Sequence, residues 1–425
     1  MGKLKTTFPT FSIQQINRQS SYFVTIILSF LVLSVYITAN VHYPIFPKYV
    51  DFFGGGPSEL GFLTSIYFLM MFVFSSPSGW LADKLGKKHF LLFSLFGVGL
   101  SHFLYTQVSS LAFLYLARGI GGIFVAGIFP VSVSFLSDYV EENKRSFYIG
   151  VLSSAISIGC TIGPLVGGVL MDLVDIVTPF YFCAILAFIT LVLVLVFLPK
   201  SADAAPKASS LEGVLQSVQS TKFSYLQTTA LIDSKHISFA SFILISSLAF
   251  SNYFTWTFTE PGLSFFIYDV IKINSTMFGL YIAVYGTVAG ITQSVSGYLA
   301  MKKQKKPFMV VAMAIYSISF LFIMISSTYS SLILLSVFAG LGWGIFSPVA
   351  NSEIANMAPK ESRSFWLGVY NSSLGIAGFL GPLIGGMFYS LFGSTNTFGF
   401  SMGFSLIVVG IFILFYRQST TPFTE

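Results

Sequence analysis

Glu260 and His42 are the side chains best placed to do chemistry in this chain. Each interrupts a long apolar stretch, and they stand 218 residues apart. An ionisable group at mid-span of a bilayer costs about 2.5–3.5 kcal/mol on insertion scales, so it usually faces a cavity and has a task. In a partly dry cavity a carboxyl such as Glu260 is expected to exchange its proton in the physiological range. A bound cation would favour the carboxylate, and a proton would displace the cation. Two bland readings stand beside this one: Glu260 as a hydrogen-bond anchor at a helix kink, and His42 as a satisfied polar packer.

The neighbours of both residues fall at helical spacing. Asn252, Trp256 and Glu260 are four apart and share one face of a helix, as do Ser34, Thr38 and His42. Pro261 should kink its helix and free the carbonyl of Thr257. A third apolar run sets Gly340, Gly344, Ser347 and Asn351 at helical spacing, with Trp343 and Phe346 beside them. Arg118, Gly122 and Phe129 offer a similar face, and Tyr285 and Tyr370 could add to a pocket. Aromatic walls around one acid suit bulky lipophilic cations. Arg118 reads either as a hydrogen-bond anchor or as a partner in proton coupling; His102 reads as structural and Glu353 as interfacial.

The spacing of 218 belongs to an internal repeat. Ser78-Gly79-Trp80-Leu81-Ala82 returns as Ser296-Gly297-Tyr298-Leu299-Ala300, and Arg145-Ser146-Phe147 returns as Arg363-Ser364-Phe365. Gly163-Pro164-Leu165-Val166-Gly167-Gly168 returns as Gly381-Pro382-Leu383-Ile384-Gly385-Gly386, and Asp51 returns as Asp269. The elements that must carry these copies are membrane helices. Hydrophobic residues make up 54% of the 425 and charged residues 9%, too few charges to cover a soluble surface of this size. Twelve apolar runs are long enough to cross a bilayer, near 21–46, 59–81, 90–107, 110–136, 146–171, 179–199, 237–268, 275–301, 307–326, 330–356, 364–390 and 395–416. Six fall in each copy. The expected fold is therefore all-α, two pseudo-symmetric six-helix bundles over 1–199 and 236–425, joined by a polar linker over 200–235.

Threading twelve spans with both termini on one side puts 19 of the 22 lysines and arginines on that side. Such asymmetry marks the cytoplasmic face, so the net charge of +6 reports membrane orientation and no nucleic-acid partner. The first apolar run is too long for a cleavable signal and should stay as helix 1. Cys160 and Cys183 lie in apolar runs and read as buried packing, with no disulfide framework.

Gly79-Trp80-Leu81-Ala82-Asp83-Lys84-Leu85-Gly86-Lys87-Lys88 follows the second run. It matches closely the G-x-L-A-D-x-x-G-[RK]-[RK] loop of the major facilitator superfamily. Arg118-Gly119-Ile120-Gly121-Gly122 resembles that family's R-x-x-x-G motif, and the Gly159 to Gly168 segment resembles the G-x-x-x-G-P-x-x-G-G motif of its proton-coupled antiporters. Together they resemble the twelve-helix drug:proton antiporters, including Gram-positive quinolone and multidrug efflux proteins, over about residues 20–416. The second copy departs at the loop, where Asp83 becomes Met301 and Gly86 becomes Gln304 while the lysines remain.

The resemblance implies that Asp83, among Lys84, Lys87 and Lys88, latches onto the start of helix 11 near Ser364. An acid there would cap unpaired amides and meet the positive end of the helix dipole. Such a contact would exist only with the cytoplasmic side closed; the plainer reading is an acid that balances local bases. Gly79 and Gly86 suggest close backbone approach, and the Gly163-Pro164 and Gly381-Pro382 pairs suggest kinked, tightly packed helices that can rock. The expectation is a monomeric, multi-pass transporter of the cytoplasmic membrane, exporting lipophilic cations in exchange for H+ through Glu260, His42 and Arg118. No cofactor, metal or catalytic chemistry is expected: no phosphate-binding loop, metal-ligand cluster or catalytic triad is visible. A facilitator or flippase for a sugar, metabolite or lipid is the first alternative, and a non-transporting membrane receptor or scaffold the second.

Overall fold

A computed structural model describes residues 13–141, 144–199, 239–299, 305–325, 327–357 and 363–416. The expected linker over 200–235 lies outside them. The described residues are helical and contain no strand.

The first half comprises α1 (Ile13–Asn40), the short α2 (Phe46–Phe52), α3 (Pro57–Leu85), α4 (Lys87–Thr106), α5 (Leu111–Val125), α6 (Ile128–Ser137), α7 (Arg145–Leu173) and α8 (Thr178–Phe197). The second comprises α9 (Phe239–Phe266) with a π-turn at Ile267–Ile271, α10 (Ser275–Leu299), α11 (Lys306–Ile325), α12 (Tyr329–Met357) and α13 (Arg363–Phe415). Two expected boundaries shift. The fourth span breaks into α5 and α6 at Ala126–Gly127, where a Cβ on Gly127 would run into Ser78 and Phe90. The last two spans run together as α13 but are separated by Gly393, whose φ of 78° and ψ of −178° end one helix and start the next. Counting α13 as two spans and α5–α6 as one gives six per half. Among the described residues, α9 is the one spanning-length helix missing from those apolar enough to cross a membrane by composition. It is the helix that carries Asn252, Thr255, Thr257, Thr259 and Glu260.

Local chemistry sets the helix starts. Pro57 opens α3 while the Glu59 carboxylate accepts from the Gly56 amide at 2.8 Å. Asp175 precedes α8 and accepts from the Thr178 hydroxyl at 2.7 Å and from the amides of Thr178 and Val177 at 2.6 and 2.9 Å, which holds its carboxyl below the usual carboxylate range. Gly86 (φ 86°) turns the chain between α3 and α4.

The lysines surviving in the degenerate loop have a structural reason to survive. Lys88 donates to the carbonyls of Leu195 and Leu198, at the end of α8. Lys306, its counterpart, donates to the carbonyls of Ile413 and Tyr416 at 2.9 and 2.6 Å, at the end of α13. Both ammonium groups meet the negative end of a helix dipole. Lys87 pairs with Asp138 at 2.6 Å, and Lys305 pairs with Glu353 at 3.1 Å. These contacts brace each half internally.

The halves meet through α3 against α13 and α7 against α10. Contact is tight at the end away from the lysine-rich loops. There a Cβ on Gly61 would run into the carbonyl of Pro382, one on Gly386 into that of Pro57, and one on Gly168 into that of Ser275. Ser65 donates across the same seam to the carbonyl of Phe379 at 2.8 Å. At the lysine-rich end, a Cβ added to Gly79, Gly150, Gly290 or Gly368 would meet nothing within 4 Å. Among the described residues, the close backbone contacts between the halves gather toward the far end.

Candidate functional site

α1 stops at Asn40, and Pro44 keeps the next residues from continuing it. His42 therefore sits in a turn over 41–45, earlier than the expected end of the first span, with 8% of its surface exposed. α5 turns Ala117, Arg118, Gly121 and Gly122 inward, and Arg118 is 3% exposed. Its Nη2 donates to Nε2 of His42 at 2.8 Å, an arrangement that needs that imidazole nitrogen unprotonated. The guanidinium lies 4.0 Å from the ring centre of Tyr67 and 4.9 Å from that of Phe46, so cation–π contact supports a buried charge. Among the described residues no carboxylate lies within ion-pair distance of Arg118.

His102 completes this cluster. Its Nε2 lies 3.0 Å from the carbonyl of Thr38 and its Nδ1 2.8 Å from that of Val98, tying α4 to α1. The structural role expected from the sequence agrees with that placement.

Glu260 lies on the second half where α9 passes Pro261. Its Oε2 is buried and has no hydrogen-bond partner among the described residues. The apolar part of Glu260 lines a small cavity of ≈ 20 Å³ with Trp256, Thr259, Leu263 and Ser264 of α9, Phe278, Tyr281 and Ile282 of α10, Phe320 of α11, and Leu335 and Ala339 of α12. That is room for about one water. The first half contributes Tyr43 to the wall. The ring of Tyr43 stacks on His42 with centroids 5.1 Å apart. Arg118, His42, Tyr43 and Glu260 thus form one physical line from the first half into the second.

The remaining sequence candidates divide. Trp256 and Tyr285 stack with centroids 4.4 Å apart, and Trp256 walls the pocket. Trp343 is half-buried, and Asn351 donates to the carbonyl of Ser347 at 2.8 Å. Ser34, Thr38, Asn252, Phe346 and Tyr370 are buried in the helix packing of this conformation. Ser34 and Thr38 spend their hydroxyls on the carbonyls of Phe30 and Val35, and Asn252 donates to the sulfur of Met313. Tyr43, Tyr281 and Phe320 were not singled out by the sequence. The repeat offset holds a signal for one of them, since His102 advanced by 218 falls on Phe320.

The gating candidates occupy two ends. Asp83 is exposed and makes no ion pair or hydrogen bond among the described residues, and Lys84 rests 3.9 Å over the Trp80 ring. Gly163 abuts Ile37 of α1 and Gly381 abuts Thr257 of α9, so each glycine packs within its own half. The carbonyls of Pro164 and Pro382 face the other half, at Gly279 and Gly61. One clasp at the far end was missed. Asp172, at the end of α7, accepts from the amides of Ser275 and Thr276 at 3.2 and 2.7 Å and from the Thr276 hydroxyl at 2.7 Å.

Comparison with known proteins agrees with this architecture. An MFS-type transporter of Methanocaldococcus jannaschii is 26% identical over 375 residues, covering 87% of this chain and 91% of the relative. The quinolone resistance protein NorA of Staphylococcus aureus is 24% identical over 370 residues, 86% of this chain and 89% of that one. A solved bacterial homolog of the human lysosomal transporter Spinster superposes with a TM-score of 0.78 over 94% of this chain and 97% of its own, at 15% identity, which speaks to fold alone. The family description of the Major Facilitator Superfamily matches residues 28–259 and 245–424, and the chain belongs to that superfamily of multi-pass membrane transporters.

Proposed function

We propose that the protein is a proton-coupled exporter of lipophilic cations that works by alternating access. The observation that carries this reading is the buried, unpartnered Oε2 of Glu260, a residue that walls a cavity together with Tyr43 of the first half, whose ring stacks on His42 beside the buried Arg118. A buried carboxyl without a partner either holds a proton or accepts a cation. Binding one releases the other, and a conformational change carries each across in turn. The similarity to NorA supports the export direction.

In this scheme the lysine-rich end faces the cytoplasm of a cell whose plasma membrane holds the protein as a monomer, with both chain ends inside. The conformation described is then the inward-open state. Asp83 is disengaged in it and would reach the start of α13 once that end closes. Neutralising Glu260 lets the far end open, and cargo leaves when a proton arrives from outside.

The test is gradient-driven uptake of a fluorescent lipophilic cation, such as ethidium, into everted vesicles, comparing the parent protein with Glu260→Gln. The parent should accumulate ethidium when an inward-acid gradient is imposed and stop when it is collapsed; Glu260→Gln should lose this response. Gradient-driven accumulation that persists unchanged in Glu260→Gln would remove Glu260 from coupling.

A further inference from the structure

The first copy of the repeat breaks a helix that the second copy continues. Advancing by 218 carries the turn over 41–45 to 259–263, and Pro44 to Gly262. There α9 runs on without interruption into the π-turn at Ile267–Ile271. The two pieces end alike. Gly54, after α2, and Lys272, after the π-turn, are equivalent positions, and both have left-handed backbones with φ of 75° and 59°. Pro44 has no amide to donate and interrupts the helical ladder, so a carbonyl in this turn is free to accept from elsewhere.

The donor comes from the opposite half. The hydroxyl of Tyr268, in the π-turn, donates to the carbonyl of Pro44 at 2.5 Å. Pro44 is two residues from His42. Lys48 of α2 lies 4.5 Å from the centre of the Tyr268 ring and donates to the Ser275 hydroxyl at 3.2 Å. The same ring meets Phe278 edge to face with centroids 5.6 Å apart, and Phe278 walls the cavity that Glu260 also lines. In the first half the position of Tyr268 is held by Val50, which has no hydroxyl to return the bond. Tyr268 thus touches both the turn that carries His42 and the packing around Glu260, and it does so across the junction of the halves.

We infer that Tyr268 is a positioning residue whose hydroxyl fixes the 41–45 turn, so that His42 meets Arg118 only while the far ends of the two halves are together. The inference rests on the exporter reading above and names how its gate is tied to its proton-handling residues. The π-turn belongs to one half and the 41–45 turn to the other, so separating the far ends breaks the Pro44 bond. The turn, interrupted at Pro44, then relaxes, while Arg118 stays on α5. His42 Nε2 lies 2.8 Å from Arg118 Nη2. A hydrogen bond of that length is lost once its atoms move about 1 Å further apart. Opening the gate therefore releases the imidazole nitrogen that Arg118 occupies when the gate is shut.

The experiment is nitrogen-15 magnetic resonance of purified, histidine-labelled protein in lipid nanodiscs, with neither cargo nor pH gradient present. The signals of His42 are those that vanish in His42→Gln. In the parent, His42 should show an unprotonated ring nitrogen accepting a hydrogen bond. Tyr268→Phe keeps the ring against Lys48 and Phe278 and deletes only the donor. Its His42 signals should shift or split, with the ratio of parent-like to displaced imidazole falling about twofold to tenfold, the worth of one net hydrogen bond. Ser275→Ala removes a neighbouring hydroxyl at the same seam but leaves the Pro44 bond, and should keep the His42 signals at their parent positions. His42 signals unchanged in Tyr268→Phe, or displaced equally in Ser275→Ala, would overturn the positioning role. A parent that moves no ethidium in the vesicle assay contradicts the exporter reading instead, since the resonance measurement needs no cargo.

Discussion

Replacing Asp172 by alanine should loosen the far end of the molecule. Its carboxylate takes three hydrogen bonds from the first turn of α10: two amides, at 3.2 and 2.7 Å, and the hydroxyl of Thr276, at 2.7 Å. These amides have no partner within α10, because the first turn of any helix leaves its N–H groups free. Loss of a capping side chain costs about 0.5–2 kcal/mol, and a negative charge at a helix start adds about 0.3–1 kcal/mol. Asp172 is exposed, which places the total at about 1–2 kcal/mol, felt only while the halves touch. The ratio of far-end-open to far-end-closed molecules should therefore rise about fivefold to thirtyfold. Asp172→Asn should give a smaller shift, since the amide oxygen still accepts but the charge is gone. Spin labels at positions 52 and 391, where Phe52 and Leu391 are both 76% exposed at this end, report the separation by pulsed electron–electron resonance. Cys160 and Cys183 are first replaced by alanine. A distance distribution for Asp172→Ala that superimposes on the parent's would refute the assignment of this carboxylate as a clasp.

Other contacts yield smaller tests. Glu353→Ala should destabilise the protein by about 3–5 kcal/mol, because it strands Lys305 in a largely buried site and removes the acceptor for the Tyr416 hydroxyl at 2.8 Å; Lys305→Met added to it should recover much of the loss in thermal unfolding. His102→Phe installs the residue found at the equivalent place in the second half and should cost about 1–3 kcal/mol, read as a lower melting temperature, by leaving the Thr38 carbonyl without its donor. Arg118→Lys should reduce ethidium transport at least tenfold while expression is preserved, since an ammonium cannot keep both the His42 bond and the planar contact with Tyr67. Asp269 carries a carboxyl raised above its usual range by partial burial and then by the like charge of Asp51 on the other half. A raised acid favours the native arrangement when protonated, so far-end closure should strengthen as pH falls through that range and weaken above it. Asp269→Asn should flatten the dependence, and an unaltered pH profile in the same spin-label assay would contradict it.

The architecture was largely readable from the chain because two signals with different physical origins coincided. Long apolar runs report the bilayer, and a constant offset reports duplication. The buried acid was also readable, since a carboxylate inside a span is costly enough to be rare. The polar stripe through Ser34 and Thr38 is buried in this conformation, and its hydroxyls bond their own preceding turn at Phe30 and Val35, a bond that a hydroxyl on a membrane helix can make without facing a cavity. Tyr43 and Tyr281 were hidden by abundance, because with 17% aromatic residues no single ring stands out until the folded chain sets it beside Glu260. Nothing in the sequence sets Asp172 apart from other acids; only the approach of α10 gives it a partner.

Asp83 and Asp172 sit at opposite ends of the molecule, yet both belong to the first half, and the repeat replaces them by Met301 and Ser390 in the second. If each clasps the opposing bundle at its own end, a single bundle owns both brakes of the cycle. The second half is then free to diverge in its cargo pocket without disturbing the timing. A chimera that joins this first half to a relative's second half should keep the switching behaviour of the one and acquire the chemical taste of the other.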